Sequence, residues 1–370
     1  MDPFILSAAE RPRQQLRFGV SPGAPHSTAA RMFLSSNDTL LLVIEHLDIP
    51  SLQKLSQVCV AWTCLARDEL RRRVYLELKR HIFTTATTHT VSSYPLKDAI
   101  EGFLVLLRTT RSVVSGSTAL AICMQGTSRA GDWMDERDLD VFTPVGLAPN
   151  VILYFVETLG YVVARRLMGR AADDDVFGIN DGDDVDSDEE DDNAFGTAAR
   201  GLGVMSVTRL IRDGGLRVDV VEADSDCAIL PVARFPFTAL VNYITSTSLV
   251  VCYPRLTLTD LRMHYNPGIS PPNRFKDKYR ARGWVSSQEF QHTHQCIERK
   301  HYCPRNNRIS EDDCCLVFDF EPRGGWYYPL EHVRTVSYYP QASWRWGDWS
   351  STGVHDEPYA VSRYSALTTH

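Results

Sequence analysis

The sequence lacks any run approaching the roughly 18–20 apolar residues that cross a bilayer, and its opening MDPFILSAAERPRQQ lacks the apolar stretch of a secretory signal. A membrane protein is therefore not expected, and an intracellular one, cytoplasmic or nuclear, is. Paired CxxC ligand sets are missing too. The nine cysteines are odd in number and sit in apolar runs such as Val58-Cys59-Val60 and Val251-Cys252-Tyr253, which suits buried thiols in a reducing compartment and not a disulfide framework. His292, His294, Cys296, His301, Cys303, Cys314 and Cys315 contain no second clean pair of the kind structural zinc uses, so packed thiols and surface imidazoles are expected there. No internal repeat is present, and 44% hydrophobic against 23% charged residues excludes a wholly disordered chain.

Charge is unevenly spread. The formal net charge is -7, but Asp173 to Asp192 holds twelve carboxylates and no Lys or Arg. Outside that tract 34 acidic residues face 39 basic ones, so the rest of the chain is mildly basic. Such a tract cannot bury enough apolar surface to pack, and it reads as a disordered surface insertion over 171–198. The basic run Arg274 to Arg282 reads as a solvated helix face, and nucleic acid is not an expected partner. Trp344, Trp346 and Trp349 in SWRWGDW read as residues of a core or sheet face.

Texture divides the remainder. Residues 1–33 mix Pro, Gly, Ser, Ala and Arg without periodicity and read as a flexible lead. Within 34–80, Leu40, Leu41, Ile44 and Leu47 fall at helical spacing, Asp48-Ile49-Pro50-Ser51 breaks the pattern, and Leu52, Leu55, Val58, Cys59, Trp62 and Leu65 make a second face. From 94 to 260 helical and β-branched segments alternate: Ser112 to Ser115 as a strand, Thr118 to Met124 as a helix, Leu139 to Phe142 as a strand, Asn150 to Leu159 as a helix and Tyr161 to Ala164 as a strand. Val204 to Ile211 and Leu216 to Val221 around Asp213-Gly214-Gly215 predict a hairpin. Pro236 to Thr247 is predicted helical and Tyr253 to Thr257 extended; 261–370 is a mixed C-terminal extension. The fold class is α+β: a helical module, then a mixed sheet flanked by helices.

Two constellations carry chemistry. Residues at i and i+2 of a strand share a face, so Asp138 and Asp140 can hold one Mg²⁺ while Leu139 points to the core. Asp219, inside the strand RVDVV, supplies a third carboxylate, and Gly116-Ser117 at a helix start offers N–H groups and a hydroxyl to nucleotide phosphates. The same residues admit another reading, in which Asp138 forms a salt bridge at the strand entrance and Asp219 pairs with Arg217 or Arg209 across the hairpin. A strand ending in Gly-Ser, then Asp-x-Asp on the next strand, then a lone Asp later resembles the polymerase-β-type nucleotidyltransferases over roughly Thr109 to Thr257. That resemblance implies Gly116 and Ser117 in the phosphate role, and Asp138, Asp140 and Asp219 in the catalytic metal role.

Ser35 to Arg73, with Leu40, Leu41, Leu47, Pro50, Leu52, Val58, Cys59, Trp62 and Leu65, resembles the F-box, a helical module that docks substrate receptors on the adaptor of cullin-type ubiquitin ligases. The adaptor-binding set is then Leu40, Leu41, Leu47, Pro50, Leu52, Val58, Cys59 and Trp62. Ser35-Ser36 stand where the motif usually has Leu-Pro, and Arg71 to Arg73 where it has a closing Trp. The residues alone leave open an ordinary helical hairpin packed on the downstream domain. The pairing as a whole, with the tail stretches Tyr253 to Thr257, Lys278 to Gly283 and Cys303 to Cys314, is similar to uncharacterised fungal F-box proteins. It implies a ligase receptor whose nucleotidyltransferase-like domain serves binding; the alternative is a Mg²⁺-dependent nucleotidyltransferase using Asp138, Asp140 and Asp219. The long connection QGTSRAGDWMDER between Ser117 and Asp138 leaves enzymatic activity open.

Overall fold

The computed structural model describes residues 37–82, 96–127, 138–168, 203–212, 214–266, 273–286, 308–309, 314–320, 341–345 and 359–363. The flexible lead, the acidic insertion and most of the C-terminal Cys/His and Trp set lie outside them. Three helices open the described chain: Asn37–Glu45 (α1), Ile49–Ser56 (α2) and Val60–Ile82 (α3). Asp48 starts α2 by accepting from the Ser51 N–H at 2.9 Å, with Pro50 in the first turn, where a missing N–H costs nothing. Sequence periodicity carried the second helix through Val58 to Leu65 and a further one over Val74 to Ile82. Instead the chain turns at Gln57 to Cys59, and α3 runs unbroken to Ile82. The Thr63 hydroxyl, bonded to the Ser56 and Cys59 carbonyls, fixes that turn.

An amphipathic helix Leu96–Thr109 (α4) leads into strand Val113–Ser115 (β1) and helix Gly116–Met124 (α5). Strand Leu139–Thr143 (β2) is followed by helix Ala148–Leu153 (α6), extended by a π-turn to Thr158, and by strand Val162–Met168 (β3). Strands Val204–Arg212 (β4) and Leu216–Ala223 (β5) form the expected hairpin. Helix Ile229–Ala233 (α7) then leads to strands Asn242–Ile244 (β6) and Ser248–Val251 (β7). The helix predicted over Pro236 to Thr247 is corrected: it is one 3₁₀ turn, Thr238–Leu240, and β6. A central strand buried on both faces gives the same continuous apolar run as a buried helix. The extended segment predicted at Tyr253 to Thr257 is likewise a helical turn, Arg255–Thr259, entered through Pro254 at φ -61°. After the short strand Arg262–Met263 (β8) come helix Asn273–Ala281 (α8) and strand Val285–Ser286 (β9), which pairs with β8. Strands Arg308–Ile309 (β10), Leu316–Asp319 (β11), Gln341–Arg345 (β12) and Tyr359–Arg363 (β13) complete the described chain.

Eight strands form one mixed sheet in the order β11-β7-β6-β1-β2-β5-β4-β3. Only β2 and β5 within it run parallel, with Asp140 beside Asp219. Its first face, including Val114, Leu139, Val141 and Val218, shares a continuous core with Ile49, Leu52, Leu70 and Val74 of the N-terminal helices and Phe103 of α4. Its second face packs Val113, Phe142 and Val221 on α7. Among the described residues no helix is long and apolar enough to cross a membrane, and the described cysteines are free thiols.

Arg73 joins the helices to the sheet domain. Fully buried, it donates through Nε to Glu69 at 2.8 Å, through Nη1 to the Gln125 carbonyl at 3.0 Å, and through Nη2 to the Leu47 carbonyl at 2.7 Å, with Ile44 and Glu45 carbonyls also in reach. One guanidinium thus satisfies the last carbonyls of α1 and the end of α5 together. Gly126, at φ +78°, lets the chain pass the Leu47 carbonyl, which a Cβ would meet at 2.3 Å. The N-terminal helices therefore share one core with the sheet.

Candidate functional site

Antiparallel pairing of β1 with β2 sets Ser115 opposite Asp140, parallel pairing of β2 with β5 sets Asp140 opposite Asp219, and β4 adds Arg209 opposite Asp219. Residues in one cross-strand row share a face, so these four side chains line the second face of the sheet, and Asp138 and Arg217 join them from two residues away. Thr118 Oγ1 donates to the Asp138 carbonyl at 2.9 Å, tying the start of β2 to α5.

Gly116 begins α5 at φ +67°, and a Cβ there would lie 2.0 Å from Asp140 Oδ2. The Asp140 carboxyl is thus seated against the helix start. Ser115 does not cap that helix with its side chain; its Oγ donates to the Asn242 carbonyl at 2.6 Å. Every residue of α5 is buried except Ser117, which is half-exposed beside those first amides. Such a helix start attracts negative charge.

Cations and carboxylates alternate around this point. Arg217 Nη2 lies 2.6 Å from Asp138 Oδ2 and 3.2 Å from Asp219 Oδ2, and Arg209 Nε donates to Asp219 Oδ1 at 3.1 Å. Desolvation, then the neighbouring charges of Asp219 and Asp138, push the Asp140 carboxyl well above its ordinary range. Desolvation also raises Asp138, against the opposing pull of Arg217. From α8, the exposed Lys278 lies within reach of the charges of Asp138 and Asp140, and desolvation and the nearby Arg282 lower its ammonium.

The ion-pair reading of the carboxylates is what the geometry shows: Arg217 pairs with Asp138 and Asp219, and Arg209 with Asp219, while Asp140 stands in the row beside Asp219. Their hard oxygens are the donors Mg²⁺ takes, and the repulsion concentrated on Asp140 is what a cation would relieve, so the residue types fit the metal. As they stand, no three His, Cys, Asp or Glu among the described residues form a metal-ligand group; Arg217 Nη2 bridges Asp138 and Asp219. The described residues of α8 are mostly exposed, Lys278 among them, as the reading of a solvated helix face expects, and Tyr279 is the buried exception. Tyr279 and Trp284, buried with Leu120 and Met124 of α5, anchor α8 over the site, and nothing local in the sequence signals that packing.

Of the residues assigned to adaptor binding, Leu40 and Leu52 are buried in the core and are not offered to a partner. Leu41, Leu47, Pro50 and Trp62 are half-buried, while Val58 and Cys59 are exposed. Leu42, Val43 and Val60 are exposed beside them in sequence. No family model matches the chain, and no curated protein or solved structure matches it either.

Proposed function

We propose that the chain binds a Mg²⁺-bound nucleoside triphosphate at the Gly116–Ser117 helix start, in a domain of the polymerase-β-type nucleotidyltransferase kind. The observation that carries this is the row Asp140–Asp219 on parallel strands, with Asp138 beside it and the Asp140 carboxyl seated against Gly116. Asp138, Asp140 and Asp219 would hold the metal, whose chemistry is to neutralise phosphate charge and polarise the phosphorus centre. The α5 amides and the Ser117 hydroxyl orient phosphate oxygens, and Lys278 adds a positive charge from the opposite side. Nucleotidyl transfer is the reaction class this donor set serves. Melting the protein with each nucleoside triphosphate and Mg²⁺ tests the reading. At a hundredfold excess over Kd the expected rise in Tm is about 5 °C. It vanishes in Asp140→Asn, which removes charge and keeps volume. A flat response to all four triphosphates sinks the reading.

A second reading concerns another face. Val58, Val60 and Leu42 are 67%, 48% and 58% exposed on the N-terminal helices, and exposed apolar residues gathered on one module favour a partner surface. In this reading the module is F-box-like and docks on the adaptor of a cullin-type ubiquitin ligase, with the sheet domain as receptor. Val58→Asp with Val60→Asp is expected to abolish co-purification with the adaptor while leaving the Tm within about 1–2 °C, since exposed substitutions cost little. Leu52→Ala would test the core instead. Failure of the unaltered protein to capture the adaptor at micromolar concentration removes this reading.

A further inference from the structure

Resting on the nucleotide reading, a further property follows from how two of the three carboxylates are already ion-paired. Asp138, Asp140 and Asp219 face three cationic side chains, Arg209, Arg217 and Lys278, drawn from β4, β5 and α8. Two of the carboxylates, Asp138 and Asp219, are ion-paired before any ligand arrives. Arg217 is the member that stands between carboxylates, and it does so end-on: the single atom Nη2 reaches both Asp138 and Asp219, while its Nε is buried with no hydrogen-bond acceptor. An end-on bridge with an orphaned N–H is a poorer arrangement than a bidentate one. The guanidinium therefore holds a cation's position between two carboxylates, and the side chain, 37% exposed, is open to an incoming oxyanion.

We propose that Arg217 makes divalent-metal binding conditional on a polyphosphate: the metal alone must compete with the guanidinium for Asp138 and Asp219, whereas a triphosphate offers Arg217 phosphate oxygens and frees those carboxylates. Charge favours the same order. A lone divalent cation adds positive charge beside two guanidiniums, and a polyphosphate arriving with it offsets that charge. Lys278 and Arg209 keep their places in this scheme, since neither bridges two of the carboxylates in the resting site.

The test is Mn²⁺ binding to the intact protein, followed by the electron paramagnetic resonance signal of the free ion, alone and with a non-hydrolysable nucleoside triphosphate. The unaltered protein is expected to bind Mn²⁺ alone at least about tenfold more weakly than Arg217→Met does, and to gain affinity when triphosphate is added. Arg217→Met is expected to bind Mn²⁺ with little help from triphosphate. Arg217→Lys, which keeps a charge but loses the planar fork, falls between them, and it stands in if Arg217→Met does not fold. Equal Mn²⁺ affinity in the unaltered protein and the variant overturns this inference and leaves the nucleotide reading standing. Absence of Mn²⁺ binding in both proteins, with and without triphosphate, overturns both.

Discussion

Arg73→Met is expected to lower the free energy of unfolding by about 3–5 kcal/mol, the range for removing one partner of a buried, hydrogen-bonded ion pair. The loss is large because methionine fills the volume and nothing else. Glu69, itself buried, keeps only Arg72 at 2.7 Å, and the carbonyls of Leu47 and Gln125 lose their donor. Denaturant titration reads the global effect, and hydrogen exchange at 44–47 and 125–127 reads where it acts. Arg72→Met is the control: its side chain is 36% exposed, and it leaves Glu69 paired with Arg73 at 2.8 Å, so a smaller loss is expected. If the two variants unfold at the same denaturant concentration, Arg73 does not hold the helices to the sheet.

Gly116→Ala is expected to remove Mg²⁺-triphosphate binding as completely as Asp140→Asn does, while costing the fold only about 1–2 kcal/mol of left-handed backbone strain. A methyl at this position occupies the place of Asp140 Oδ2, so the carboxyl must leave the helix start. Gly146→Ala separates strain from crowding. It too is at positive φ, +77°, with nothing within 4 Å of the added carbon, and it is expected to lose similar stability and keep full binding. Calorimetric titration on the three proteins decides; unchanged affinity in Gly116→Ala would mean that the carboxyl position at Gly116 is not part of the site.

Much of the site was legible because strand geometry is local. Asp138 and Asp140 two apart, and Asp219 beside Arg217 in an alternating hairpin, follow from period-two alternation alone. The parallel partnership of β2 with β5 does not, because it joins segments separated by α6, β3 and the acidic tract, and no pair of residues announces it. The inward side of α8 was hidden for a related reason: Tyr279 packs with Trp284 against Met124 and its hydroxyl meets Arg282, while the neighbouring Lys278 and Arg280 are exposed as their charge suggests. The N-terminal helices show the opposite error. Periodicity placed Val58 and Cys59 on a buried face, and the turn at Gln57 to Cys59 rotates them outward. Spacing across a helix break carries no facial information.

Strands β3 and β4 are antiparallel neighbours at one end of the sheet, and Met168 stands opposite Ser206. The chain therefore leaves the last strand and rejoins the sheet beside the point of departure, whatever lies between. Closing a connection costs entropy that grows only with the logarithm of its length, so halving or doubling residues 169–202 changes that cost by about 0.6 kcal/mol. Seen from the two strands, the length of a connection that holds twelve carboxylates carries little entropic cost.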